Sequence, residues 1–190
     1  MEIKILFRKE FFGKMKKLLK FSGICAAVIA LVGFILLMTT PIIEYHNGDT
    51  WTTITGGVFG GGQSITHALG VTGDPVSIDA TLAWTGLVGW ILMLVAILIL
   101  IAGFVLPLLK VTALEKFAGV LNLVAVISLV VAGILVFISR PVFWAANEMG
   151  DNTDHWGLGT GWVFAGILAI VGGVLAILPA AVDFIGSKKK

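Results

Sequence analysis

Four long apolar stretches leave this chain few folds to choose from. They run over about Phe21–Ile43, Leu82–Leu109, Phe117–Ile138 and Gly161–Phe184. Each reaches the roughly 20 helical residues needed to cross about 30 Å of hydrocarbon, and the second is long enough to require tilt. Lipid offers the backbone no hydrogen bonds, so such a segment satisfies its own as a helix. Only 13% of the residues are charged, against about a quarter in a soluble domain. The expected fold is an all-α membrane protein built as a four-transmembrane-helix bundle. Residues 1–20 form a basic leading segment, 21–185 the bundle, and 186–190 a basic tail. The first stretch is expected to remain as a span. Its apolar run to Met38 is longer than a signal peptide's, and no A-x-A site follows in "TTPIIEYH".

Charge fixes the expected orientation. Lys4, Arg8, Lys9, Lys14, Lys16, Lys17 and Lys20 precede the first span. Lys110 and Lys116 lie between spans two and three, and Lys188, Lys189 and Lys190 end the chain. Of the Lys and Arg residues only Arg140 falls on the other side. The positive-inside bias therefore puts both termini in the cytoplasm of a cell that carries the protein in its plasma membrane. The connections at about 44–81 and 139–160 then face outward. Trp51, Trp84, Trp90, Trp144, Trp156 and Trp162 all lie in those connections or at the outer span ends, as an interfacial belt would.

The leading segment has helical periodicity of its own. Ile3, Phe7, Phe11, Met15 and Leu18 share one face, and Lys9, Lys16, Lys17 and Lys20 share the other. This is the pattern of a helix on an anionic inner leaflet, with those lysines as the membrane-surface residues. The alternative is a charge cluster that only sets topology.

The first connection holds five glycines, Gly56, Gly57, Gly60, Gly61 and Gly62, ahead of Gln63 and Ser64. No lysine follows them, so this is not a phosphate-binding loop, and no βαβ pattern surrounds it. A re-entrant pore loop would want apolar flanks, yet Glu44, His46, Asp49, Asp74 and Asp79 bracket the stretch. "TWTTIT" at 50–55 is β-prone, and "VSIDATLAW" at 76–84 alternates before entering span two. A small β-containing extracellular cap is expected, with the glycines as a flexible crossover.

Four spans, cytoplasmic termini, a long β-prone first outer loop and a shorter second one resemble the claudin and peripheral-myelin-protein type of tetraspan. The resemblance covers the layout of the whole chain. Claudins carry a W-GLW-C-C pattern in the first outer loop; here Trp51 has no following G-L-W and no outer cysteine. The resemblance therefore implies a topology and no site residues.

Catalytic residues are not expected. Ser64, His67 and Asp74 lack a G-x-S-x-G frame. The single cysteine, Cys25, excludes an internal disulfide and a cysteine-based metal centre. His46 and Asp49 in one outer loop, with Asp154 and His155 in the other, are the candidate metal ligands if the loops meet. The alternative is solvated acidic loops, and no cofactor is expected. No span carries a charge near its middle, which disfavours an ion-coupled carrier. Nucleic acid is not an expected partner.

In span four Gly157, Gly161, Ala165, Ala169 and Gly173 recur every fourth residue, beside a second ladder of Gly172, Ala176 and Ala180. Small residues at this spacing let helices approach closely. The seam packs either inside the bundle, against Ala26 and Ala30 or Gly119, Ala125 and Gly133, or against a second copy or a partner membrane protein. The expected function is non-enzymatic: a tetraspan acting in scaffolding, complex assembly or adhesion through its outer loops and this seam. A channel or transporter subunit is the alternative, and an outer-facing metal-binding or redox accessory protein a second.

Overall fold

A computed structural model describes the backbone of residues 2–47, 49–55, 58–59, 61–68, 71–108, 117–148 and 155–187, and their side chains except at 2–20, 67, 106–108 and 182–187. Among these residues are five α-helices and one small antiparallel sheet. In chain order they are α1 (Glu2–Thr39), β1 (Ile43–Asn47), β2 (Thr50–Ile54), β3 (Gln63–Ala68), β4 (Val71–Thr72), β5 (Val76–Ser77), α2 (Trp84–Leu108), α3 (Ala118–Phe137), α4 (Ser139–Ala146), β6 (Trp156–Leu158) and α5 (Thr160–Ser187). Four helices are long and apolar enough to cross a membrane: α1 over Phe21–Thr39, α2 over Trp84–Val105, α3, and α5 over Thr160–Ala181.

Prolines set the helix ends. Pro41 lacks an amide donor and pushes Thr40 out of the α region. Accordingly α1 stops at Thr39, short of Ile43, which becomes the first residue of a strand. The hydroxyls of Thr39 and Thr40 fold back onto the Ile35 and Leu36 carbonyls, at 3.0 and 2.6 Å, as second donors in the last turn, the Leu36 carbonyl also accepting the Thr40 amide. Pro141 acts likewise further on. It cannot donate to the Phe137 carbonyl, so α3 ends there and the chain turns at Ile138 into α4. This short helix was not expected within the 139–160 loop. At the other end of α1, the basic segment and the apolar one form a single helix with no break at Phe21.

The helices form a ring in which α1 packs on α2, α2 on α3, α3 on α5 and α5 on α1. The α5 seams with α3 and α1 are the most extensive, and that between α1 and α2 is the sparsest. The side chains are arranged inside-out by the standards of a water-soluble bundle. Ala30, Ala96, Ala132 and Ala169 are fully buried, while Val28, Leu98, Ile127 and Val174 are 54–58% exposed. A Cβ built on Gly33 would lie 3.1 Å from the Ala165 carbonyl oxygen, and one on Gly172 3.2 Å from that of Ala26. Backbones thus approach through small residues, the mode of packing that works without water to expel.

Candidate functional site

All strands gather at one end of the bundle, where α1 ends and α2 and α5 begin. Their order is β4-β3-β2-β1-β6, with β5 also on β3. The tight β1–β2 pairing aligns His46 with Trp51 and Glu44 with Thr53. The β2–β3 pairing aligns Trp51 with His67. On its other side β1 pairs with β6, Glu44 facing Gly157 and Tyr45 facing Trp156. The two connecting loops therefore form one sheet. Between β2 and β3, Gly61 and Gly62 have φ of 64° and 139°, backbone regions that residues with a Cβ rarely adopt. The Gly61 amide donates to the Ala80 carbonyl at 2.7 Å.

Glu44 fastens the sheet to the bundle. Its carboxylate accepts from the Thr160 amide at 3.1 Å and the Thr160 hydroxyl at 2.9 Å. Helix α5 is preceded by Gly159, which has no side chain to cap with, so a carboxylate from β1 serves the first turn. A negative charge there also complements the helix dipole. Nearby the Gly159 amide donates to the Ile42 carbonyl at 2.7 Å. A side chain at Gly159 would collide with the Pro41 carbonyl, and one at Gly161 with the Thr40 side chain. The Trp162 indole, fully buried, donates to the Thr40 carbonyl at 3.3 Å. On the opposite side Asn147, just past α4, grips the approach to α2. Its side-chain oxygen accepts from the Thr81 amide at 2.6 Å, and its nitrogen donates to the carbonyls of Thr81 and Phe143 at 3.2 and 2.8 Å. Below it the buried hydroxyls of Thr85 and Ser139 meet at 3.0 Å.

Of the four candidate metal ligands, Asp154 lies outside the described residues. The other three are at the sheet. His46 and His155 are adjacent through backbone, the His46 amide donating to the His155 carbonyl at 2.9 Å. Their imidazoles have different neighbours. That of His46 lies 3.7 Å from the Glu44 carboxylate. The His155 ring, on a residue with φ of 67°, stands edge-on to Tyr45 with centroids 6.1 Å apart. Asp49 is exposed at the β1–β2 turn. No group of three or more His, Cys, Asp or Glu is placed to hold a metal ion among the described residues.

The β6 edge carries an aromatic cluster. Tyr45 and Trp156 have centroids 4.7 Å apart, and Trp144 of α4 meets Trp156 at 5.6 Å. At the bundle top Trp90 stacks on Phe34 at 4.8 Å and receives Phe59 edge-on at 5.4 Å. Apolar side chains are also exposed on the sheet itself: Trp51, Val71 and Val76. Val71 pairs with Ala68 and Val76 with Ser64, positions of equal parity on β3, so the two valines share a face.

The small-residue ladder divides. Gly157 belongs to β6, and Gly161, Ala165, Ala169 and Gly173 to α5. Gly173 sits against Leu129 and Val130 of α3, and Gly172 against Ala26 and Ala30 of α1. Lys9, Lys16, Lys17 and Lys20 lie on α1, with side chains outside the description. Sequence reasoning missed Asn147 and the capping role of Glu44. The one available signal was the lack of a capping residue before Thr160, and it does not say where the cap comes from. In comparisons with known proteins, no family model and no curated protein matches this chain.

Proposed function

We propose that this chain is a non-enzymatic tetraspan membrane protein that acts in scaffolding or complex assembly, with its sheet as the recognition surface outside the cytoplasm. The observation that carries this is the union of both connecting loops in one sheet, fastened at Glu44–Thr160 and Asn147–Thr81. Such fastening presents Val71 and Val76 together on one face of a rigid platform, with Trp51, paired to His67, on the other, so a partner binds without first ordering a loop. The ladder on α5 is occupied by α3 and α1, which leaves the sheet as the surface for assembly. Sidedness rests on charge. The basic residues of the leading segment lie at the end of α1 remote from the sheet, and the tail follows the remote end of α5. Close approach of α3 and α5 at Gly133, where a Cβ would lie 2.8 Å from the Gly166 carbonyl, disfavours a conduit through a single copy.

The test uses single cysteines in a Cys25→Ser background. Gln63→Cys should react with an impermeant maleimide on intact cells, and Ser187→Cys should not. A photo-crosslinker at Val71 or Val76 should then capture a protein partner or second copy in native membranes, where one at Val174 captures only lipid. Labelling at Ser187 with protection at Gln63 would invert the topology. Ion flux from the purified protein in liposomes, with no adduct from the sheet, would favour the channel reading instead.

A further inference from the structure

The sparse seam between α1 and α2 opens into an apolar groove of about 260 Å³. Its walls are Ile24, Val28 and Leu31 of α1 and Ile97, Ile101 and Phe104 of α2. On each helix these positions follow the i, i+4, i+7 spacing that lines one face. Ala27, almost fully buried, lies between the walls, and its small side chain leaves the depth. The groove occupies the half of the bundle remote from the sheet, where α1 passes from its lysine-rich turns into its apolar ones. Along the helix axis Lys20 is four residues, about 6 Å, from Ile24. The wall from Ile24 to Leu31 extends about 10 Å further, within the roughly 15 Å depth of one leaflet's hydrocarbon.

We infer that this groove holds an acyl chain of an anionic phospholipid whose headgroup lies at the level of the lysine-rich turns of α1. The inference rests on the membrane reading above. An acyl chain matches a slot lined by hydrocarbon and open along its side. Charge complementarity selects the headgroup: Lys14, Lys16, Lys17 and Lys20 fall within about three turns before Ile24, and basic residues near a membrane surface attract anionic lipid. A zwitterionic lipid fits the slot equally well and gains nothing from the lysines.

The experiment is native mass spectrometry of the intact chain after incubation with phosphatidylglycerol and phosphatidylcholine of identical acyl chains. The parent should retain phosphatidylglycerol about tenfold over phosphatidylcholine. Val28→Trp, which fills the slot, should reduce retention of both lipids at least fivefold. Lys16→Gln with Lys17→Gln and Lys20→Gln should abolish the preference and leave retention of phosphatidylcholine unchanged. Val174→Trp, on the exposed face of α5, should behave as the parent. Equal retention of the two lipids by the parent overturns the inference. So does undiminished binding in Val28→Trp, which would mean that surface charge alone holds the lipid, or an equal loss in Val174→Trp. Failure of the membrane reading itself shows separately, as loss of the chain from carbonate-washed membranes.

Discussion

The Ser22 hydroxyl of α1 donates to the Leu175 carbonyl of α5, at 3.5 Å. That carbonyl is the one Pro179 leaves open. In an uninterrupted helix the amide of residue 179 would donate to residue 175, and proline has no amide hydrogen. The proline ring lies over Gly23, whose added Cβ would be 3.5 Å from its Cγ. A break in one helix is thus repaired by the residue next to the glycine that makes room for it. Ser22→Ala should lower stability by about 0.5–1 kcal/mol, seen as a fall of a few degrees in thermal unfolding. In a Pro179→Ala background the helix supplies its own donor and the serine substitution should become neutral. A full Ser22→Ala effect in both backgrounds would separate the two residues.

Asn147 makes three hydrogen bonds with one side chain, and alanine makes none of them. Asn147→Ala should cost about 1–3 kcal/mol, because the Thr81 backbone loses both partners. Asn147→Asp keeps an acceptor for the Thr81 amide but faces the Thr81 and Phe143 carbonyls with an oxygen, and should be no better than alanine. Thermal unfolding in detergent reads both. Parent-like stability in Asn147→Ala would show that water replaces the side chain.

Trp162, fully buried, and Trp90, half-buried, should respond differently to phenylalanine. Trp162 donates to Thr40 and fills the space over Gly86, where an added Cβ would lie 2.6 Å from its ring. Its replacement leaves an open acceptor and a void, and should cost about 2–4 kcal/mol. Among the described residues the buried Trp90 indole nitrogen has no hydrogen-bond partner, so Trp90→Phe gives up no hydrogen bond to them and keeps the stack on Phe34. Its cost should stay within about 1.5 kcal/mol. The reverse order in chemical unfolding would contradict the assigned partners.

Gly133 and Gly173 lie on the same α3–α5 seam with different neighbours. A Cβ at Gly133 meets the Gly166 carbonyl at 2.8 Å, and backbone cannot step aside without parting the helices. At Gly173 the nearest atom is a methyl of Val130 at 2.9 Å, the end of a movable side chain. Gly133→Ala should therefore destabilise by about 1–3 kcal/mol. Gly173→Ala should be milder, since alanine's helix preference of about 1 kcal/mol offsets the crowding. Gly173→Leu exceeds what Val130 can yield and should lower the melting temperature of the monomer itself. Oligomer loss with an intact monomer would move this seam to the surface of the bundle.

The apolar helices were legible because hydropathy over twenty residues is a property of the segment alone. Their ends were legible only in part. Pro41 and Pro141 are visible signals, yet apolar residues continue past both, so hydropathy alone runs span one on to Ile43 and gives no sign of α4. The sheet was readable where β-branched residues cluster, at Thr50–Ile54. It was not readable at β6, three residues that become a strand only because β1 lies beside them. Gly157 shows the same limit: it continues a four-residue spacing by position, although the helix starts after it. The candidate ligands were legible as residue types. That backbone joins His46 to His155 while their rings take separate neighbours follows from tertiary placement, which no spacing encodes.

The strand that closes the sheet reaches it late. Glu44 and Thr160, which join β1 to the top of α5, are 116 positions apart in the chain. During synthesis both strands of the β1–β2 pair emerge early, but the second edge of β1 has no partner through the making of three helices. Helix α5 is also the element that packs most extensively, on α3 and α1 together. The first three long helices are therefore an incomplete ring with an unpaired strand edge above it, and one final insertion closes both. A chain stalled before α5 exposes that edge together with the small-residue faces of α1 and α3, and is the form most open to mispairing with another copy.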